Sequence, residues 1–381
     1  MKGKITMIKT KRGIAVLLAA IMILAMAFTG CNQNTTDNKT SDNEQTSAVL
    51  SEPKEGSAEA ASALLTAIKG TYEGLFAPVT FQSQYDKLWV DYCAAVVGSE
   101  NAKDMAAMMK YSIGGSIYGE KAVSAYEKNP ESAQFCCEFS EGLDKLTFNG
   151  NSIAGKAKDG SVLFSHDYEF VSYEAIGEDR GVKDFNGYLF KSKDDNSDEF
   201  TYFIILPDTP ETTHHIEFRY GSDIEALKQY ASGKYAYWLA AGILTDASQT
   251  EIEEAIALFC TENMDYSAAR SENSKLVISD FVGTWDADLS TAGDKYADAT
   301  IYTVIDADGN GTTYMNDKQT NSYMAFAYDN DGDTAKNSGV YVAYDKDAGE
   351  AESSKYELTD NGKTLTFFDL AGTKLISYTK R

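Results

Sequence analysis

Most of the chain after Cys136 consists of short segments in which aromatic or β-branched residues alternate with polar ones, separated by polar turns. A period of two predicts β-strands with one buried and one solvated face. The intervening turns favour antiparallel meanders of the kind found in barrels and sandwiches. The runs are CCEFS, DKLTFNG, NSIAGKA, SVLFSHDYEFVSYEAI, GYLFKSK, EFTYFIIL and HHIEFRY in a first group, and DATIYTVID, GTTYMN, SYMAFAYD, GVYVAYD, KYELTDNGKTLTFFD and TKLISYTK in a second.

Apolar residues at helical spacing flank the first group of strands. They predict helices over residues 58–70, 87–97, 102–126, 222–230 and 248–260. The first folded unit opens at residues 71–74 (TYEG), and the second opens at residues 281–285 (FVGTW). We therefore predict a mainly β protein with some helix (β+α), in two antiparallel β domains that span residues 70–265 and 278–381.

The first thirty residues have the pattern of a secretory signal. A basic segment, residues 1–12, precedes an apolar run of 16 residues from Gly13 to Phe28. That run is shorter than the roughly 20 residues of a bilayer-spanning helix but suits a signal peptide. Gly30-Cys31 follows and resembles the lipobox of bacterial lipoproteins, although Phe28 stands where Leu is usual.

The resemblance implies that residues 1–30 are a lipoprotein signal peptide and that Cys31 is lipidated. Residues 31–57 are polar, which is typical of a disordered tether. We therefore expect an extracytoplasmic protein that is anchored to the cell membrane through lipid. An ordinary cleaved signal followed by a chance cysteine is the alternative.

Charge excludes one class of partner. The chain has 34 basic and 58 acidic side chains and a formal net charge of −24. Removal of the leader, with its five basic residues and no acidic ones, would change −24 to −29. Because nucleic-acid binding depends on Lys and Arg neutralising phosphates, we expect no nucleic-acid partner. The same acidic surface raises the local concentration of cations.

Sequence motifs give no support to an enzyme. The sequence contains no Gly-x-Ser-x-Gly, P-loop, His-Glu-x-x-His or dinucleotide-binding motif, so we predict a protein that is not an enzyme. If Cys31 is lipidated, Cys93, Cys136, Cys137 and Cys260 remain. Four cysteines allow three pairings, and free thiols are equally compatible with the sequence.

Two of the chain's three histidines lie at the start of one predicted strand, in the segment TTHHIEFRY. Since side chains two apart share a face of a strand, His215 should lie beside Glu217, and His214 should point to the opposite face with Ile216. Imidazole and carboxylate are both zinc ligands. Asp208, in the preceding loop, could supply a third one, as could Glu211. A solvated polar face explains the same pattern without metal.

The segment HIEFRYGSD, a following helix, residues 235–238 (YAYW) and the acidic helix TEIEEAIALFC together resemble the C-terminal half of the ZinT (YodA) family. The opening TYEG is also similar to that family's start, and the resemblance covers residues 70–262. It implies a lipocalin/calycin-like barrel that recruits zinc outside the cytoplasm.

In that family a strand carries His-x-His, and a third His lies in the loop before it. His215 matches the first of these, Glu217 replaces the second, and Asp208 is the nearest counterpart of the third. The family's His-rich segment is missing, and carboxylates admit manganese or calcium more readily than imidazole does. The resemblance implies zinc, or a similar divalent cation, as cargo for the binding protein of a metal-uptake transporter.

The second β unit resembles small lipocalin-like domains through Gly283-x-Trp285, where the Trp packs across one end of the barrel. Its turn at residues 306–311 (DADGNG) matches the start of a calcium-binding loop, but hairpin turn chemistry explains it equally. A different class of function therefore stays open. The two units could form a scaffolding or adhesion module, or bind a small apolar ligand, with a vestigial metal site.

Overall fold

The computed structural model describes residues 53–113, 128, 137–139, 142–175, 186–231, 239–266, 269, 272–290, 296, 298–329 and 337–381. The following lie outside the described residues: the predicted signal peptide, Cys31, most of the predicted tether, Cys136 and residues 235–238. In the part of the chain that is described, no helix is both long and apolar enough to cross a membrane.

The first barrel consists of eight antiparallel strands that close on themselves, since the first strand pairs with both the second and the eighth. The strands are β1 (Gly70–Gly74), β2 (Lys145–Asn149), β3 (Ser152–Lys156), β4 (Val162–Ala175), β5 (Asn186–Ser192), β6 (Tyr202–Ile205), β7 (Ile216–Gly221) and β8 (Ala240–Leu244).

Large aromatic side chains fill the interior of this barrel. Tyr72, Phe148, Phe190, Phe203 and Phe218 are all almost completely buried in one cluster. Eight strands enclose a space just wide enough for side chains or for one small ligand. Aromatic packing of this kind favours a filled core over a cavity for an apolar ligand.

Helices accompany the strands, and seven α-helices have both ends within the described residues. They are α1 (Ala58–Ala67), α2 (Asp86–Val97), α3 (Ser99–Ile113), α4 (Pro210–Thr213), α5 (Ile224–Ala231), α6 (Gln249–Glu262) and α7 (Glu272–Phe281). Helices α2 and α6 pack against each other, and Trp89 anchors their contact. Its ring centroid lies 6.0 Å from that of Phe259, and its Nε1–H donates to the carbonyl oxygen of Thr80 at 2.9 Å.

The same two helices lie between the barrels. Their apolar residues share one buried cluster with Ile243, on the outer face of β8, and with Phe326 and Val342, which belong to the second barrel. Both faces of this helical layer are therefore covered by β-sheet.

The second barrel also closes with eight antiparallel strands. They are β9 (Gly283–Ala287), β10 (Ile301–Ile305), β11 (Asn310–Met315), β12 (Lys318–Asp329), β13 (Asn337–Asp345), β14 (Glu350–Thr359), β15 (Thr364–Phe368) and β16 (Lys374–Lys380). Two closed antiparallel barrels with accompanying helices confirm the predicted β+α, lipocalin-like two-barrel fold.

Trp285 lies where α7 enters the second barrel. Its Nε1–H donates to the carbonyl oxygen of Phe281 at 2.6 Å, and the side chain is 1% exposed. The ammonium group of Lys380 lies 5.0 Å from the Trp285 ring centroid. The ring therefore packs across one end of the barrel, as the sequence predicts.

The turn at residues 306–311 is a β-hairpin turn. One carboxylate oxygen of Asp306 accepts the backbone N–H groups of Asp308 and Asn310 at 2.9 and 2.8 Å, and Gly309 has a φ of +76°. Asp317, at the twelfth position of a calcium loop, lies in the next turn, beyond β11. At about 3.4 Å per residue, that strand separates the two aspartates too widely for one ion.

Candidate metal centre

The segment from Leu206 to Glu217 holds the predicted site residues, and its backbone is fixed at both ends. The N–H of Leu206 donates to the carbonyl oxygen of Glu217 at 2.9 Å, which joins the end of β6 to the start of β7. Between them, Thr209 and Thr212 form a capping box for α4, with Pro210 at the first helical position. Pro has no N–H to satisfy there, so the short helix is well specified by its sequence.

His214 ends α4 in the left-handed conformation, with φ +60° and ψ +6°. The strand β7 begins only at Ile216. The prediction that His214 is a strand residue on the face of Ile216 is therefore wrong, because a non-glycine left-handed cap ends the helical turn at that position. The same reversal of the chain brings His215 next to the start of β7.

His215 and Glu217 lie together on the outer face of the first barrel. Their neighbours Ile216 and Phe218 point into the interior. The Nε2 atom of His215 is 3.8 Å from Oε1 of Glu217, and the two side chains are 11% and 13% exposed. The Nδ1–H of His215 donates to the carbonyl oxygen of Thr213 at 2.7 Å. This bond fixes the tautomer and leaves the Nε2 lone pair directed away from the backbone, as in metal-binding histidines.

Burial and the neighbouring groups shift the pKa of His215 in opposite directions. Burial lowers its pKa and is the largest single effect, but Glu217, Asp208 and the Thr213 carbonyl together outweigh it and hold the pKa above its ordinary value. The groups around this imidazole therefore stabilise a positive charge on it. A cation bound at Nε2 would meet the same carboxylates.

Asp208, the predicted third ligand, lies close enough for its charge to act on His215. Within the described ranges, however, no three His, Cys, Asp or Glu side chains converge as they would around one metal ion. The structure thus brings His215 and Glu217 together and leaves Asp208 nearby without placing it in the same group.

His214 faces helix α6 rather than the barrel interior. Its Nε2 is 3.2 Å from Oε2 of Glu254. Burial lowers the pKa of His214, as does the nearby His215, while Glu251 acts in the opposite direction. Sequence reasoning missed Glu254 as a partner, and the only signal for it was the acidic character of the α6 segment.

His166 is the third histidine and lies apart from this segment. Its Nδ1 is 2.7 Å from Oδ2 of Asp194, and its ring stacks on Phe164 with centroids 5.7 Å apart. Since side chains two apart share a strand face, His166 lies on the face of β4 that Phe164 and Tyr168 turn into the barrel, beside the aromatic core.

No protein-family model and no curated protein matches this sequence. Among solved structures, the chain is similar to the Zn(II)-bound ZinT-like domain of AdcA from Streptococcus pneumoniae. The identity is 15% and the TM-score 0.34, over 51% of this chain and 89% of that one. It is also similar to Zn(II)-bound AdcA from Streptococcus pneumoniae, with 14% identity and a TM-score of 0.31, over 51% of this chain and 34% of that one. Likeness at this level does not establish membership of the ZinT family, which stays a prediction.

Proposed function

We propose that this protein captures zinc, or a similar divalent cation, outside the cytoplasm through His215 and Glu217, and passes it to an uptake system. The cation is cargo, and no chemical step is assigned to it. One observation carries the proposal. A buried imidazole has its Nδ1–H held by the Thr213 carbonyl and its Nε2 directed toward a carboxylate 3.8 Å away.

The donor atoms fit zinc better than calcium. Zinc accepts imidazole nitrogen and carboxylate oxygen at about 2.0–2.2 Å, so a small inward movement of two donors 3.8 Å apart suffices to share one ion. Calcium prefers an all-oxygen shell of six to eight ligands, which this pair does not offer. Asp208 is the third ligand that we propose, since its charge already acts on His215.

Isothermal titration calorimetry of the purified full-length protein with zinc, manganese and calcium tests the proposal. The full chain is required because α2 and α6 are covered by both barrels. We expect one saturable zinc site. At a free zinc concentration 100 times the dissociation constant, the folded state gains about 2.7 kcal/mol, which a thermal shift would register.

Variants assign the ligands. His215→Ala should abolish zinc binding, and Glu217→Gln and Asp208→Asn should each weaken it. His166→Ala is the matched control, because it removes an imidazole that pairs with a carboxylate away from this site. Absence of saturable heat with all three metals, or zinc binding that survives His215→Ala, would contradict metal capture at this site.

Extracytoplasmic anchoring is a separate part of the proposal and rests on the sequence. The basic leader, the apolar run of 16 residues and Gly30-Cys31 support a lipid on Cys31. Substitution of Cys31 by Ser should prevent lipid attachment and leave the leader uncleaved by the lipoprotein signal peptidase, which mass spectrometry of the intact protein measures. Normal cleavage before residue 31 in the Cys31→Ser protein would count against lipid anchoring while leaving metal capture open.

A further inference from the structure

The helical layer between the barrels contains two neighbouring cysteine side chains. Cys93 lies on α2 and Cys260 on α6, and both are free thiols that are 0% exposed. The Cys93 thiol is near enough to Cys260 to act on it. The Sδ atom of Met109 lies 4.0 Å from Sγ of Cys93, so three sulfur atoms meet in one apolar region.

Polar and aromatic contacts on either side fix how α2 and α6 face each other. The Tyr92 hydroxyl donates to Oε1 of Glu253 at 3.0 Å, and the Tyr85 hydroxyl donates to Oε1 of Gln249 at 3.2 Å. Trp89, one helical turn before Cys93, packs on Phe259, the neighbour of Cys260. The meeting of the two thiols thus follows from the packing of the whole helix pair rather than from one side-chain rotamer.

We propose that Cys93 and Cys260 form a disulfide in the mature protein, joining α2 to α6 between the two barrels. The packing of α2 against α6 holds the two thiols as neighbours in one buried cluster, and the bond would bring their sulfur atoms to about 2.04 Å. Cys137, the other cysteine that the structure describes, is placed differently. Its backbone carbonyl accepts the N–H of Ala241 at the edge of β8.

The oxidant is a disulfide, either of a thiol–disulfide oxidoreductase or of oxidised glutathione. The Cys93 thiolate attacks one sulfur of that disulfide, which forms a mixed disulfide and releases one thiol. The Cys260 thiolate then attacks the Cys93 sulfur, which forms the Cys93–Cys260 bond and releases the second thiol. Two electrons pass to the oxidant, and its two released thiols take up the two protons that the cysteines lose.

Because both thiols are buried in the folded protein, we expect the disulfide to form early in folding. It raises the pKa of the Cys260 thiol well above its ordinary value, with a further contribution from Cys93. The reactive thiolate is therefore scarce once α2 and α6 have packed. The disulfide forms while the helices are still open to the oxidant, and the folded barrels afterwards shield it from reductant.

Peptide mapping tests the pairing directly, because trypsin separates the cysteines. Cys93 falls in peptide 88–103, Cys260 in peptide 235–270, and Cys136 with Cys137 in peptide 129–145. The full chain is refolded with oxidised glutathione, alkylated without reductant and digested. We expect peptides 88–103 and 235–270 as one cross-linked species that separates on reduction. Alkylation of both Cys93 and Cys260, or a link from either of them to peptide 129–145, would overturn the proposal.

A thermal-unfolding series gives an independent readout. Reduction should lower the melting temperature of the oxidised wild type and of Cys137→Ser, the matched control, to the same extent. It should leave Cys93→Ser and Cys260→Ser unchanged, since neither has a bond to lose. Equal sensitivity of all four proteins to reductant would contradict the Cys93–Cys260 bond. If a serine variant fails to fold, the peptide map of the wild type still decides the question.

Discussion

Glu352 offers the sharpest test of the electrostatics of the second barrel. It lies on β14 and shares the inward face of that strand with Ser354 and Tyr356, which are both buried. Its Oε2 atom is buried and has no hydrogen-bond partner among the residues that the structure describes. Burial, with a smaller contribution from Glu350, raises the pKa of Glu352 from 4.5 to about 7.

This shift makes stability depend on pH in a defined direction. Between pH 4.5 and about pH 7 the native protein retains a proton on Glu352 that the unfolded chain has released. Stability is therefore lost as pH rises through this window and stays reduced above it. A difference of about 2.5 pH units corresponds to roughly 3 kcal/mol.

The perturbation is Glu352→Gln, which keeps the shape and removes the titration. Guanidinium unfolding followed by circular dichroism should give nearly equal stabilities for the variant and the wild type at pH 4.5. At pH 8 the variant should be more stable by about 3 kcal/mol. Glu357→Gln, on the outward face of the same strand, is the matched control and should show no such divergence. A constant difference between variant and wild type from pH 4.5 to pH 8 would refute the reasoning.

Two further substitutions probe the packing. Lys355→Met removes the 3.0 Å ion pair with Glu253 that joins the second barrel to α6; because Lys355 is partly solvated, we expect a loss of about 1 kcal/mol in chemical denaturation. Gly339→Ala would place its Cβ against the carbonyl oxygen of Tyr328 on the paired strand. We therefore expect it to lower the free energy of unfolding by about 3 kcal/mol in the same assay. Gly221→Ala is the control, because its Cβ has room, and should cost less than about 1 kcal/mol.

Alternation of side chains was sufficient to predict most strands of both barrels, because most strands have one face on a core and the other toward water. Closure into barrels was implied only by the resemblance to lipocalin-like families. The alternation pattern did not predict β8. Ala240 contributes to the barrel interior, while Ala241 and Ile243 pack under the helical layer. A strand that is buried on both faces loses the period of two and reads as an ordinary apolar run.

The site was predictable in part. The His-x-Glu spacing correctly anticipated that His215 and Glu217 lie side by side, although His215 comes just before β7 begins. The orientation of His214 was not predictable, because it depends on a left-handed cap, a conformation that is uncommon for residues other than glycine. The proximity of Cys93 and Cys260 could not be predicted from the sequence either. It is set by the packing of two helices that are distant in sequence, and spacing alone cannot choose among pairings.

Helix α6 contacts both the second barrel and the candidate site, and so connects the two. Glu254 on this helix lies 3.2 Å from His214, the residue before His215. The preceding residue, Glu253, pairs with Lys355 of the second barrel. Buried apolar side chains of α6 and α2 contact strands of both barrels in one cluster. Removing the second barrel would expose that cluster and release the helix against which the His214 segment packs. We therefore expect the C-terminal barrel to support the position of the His214 segment through α6, which deletion of residues 282–381 followed by zinc titration would test.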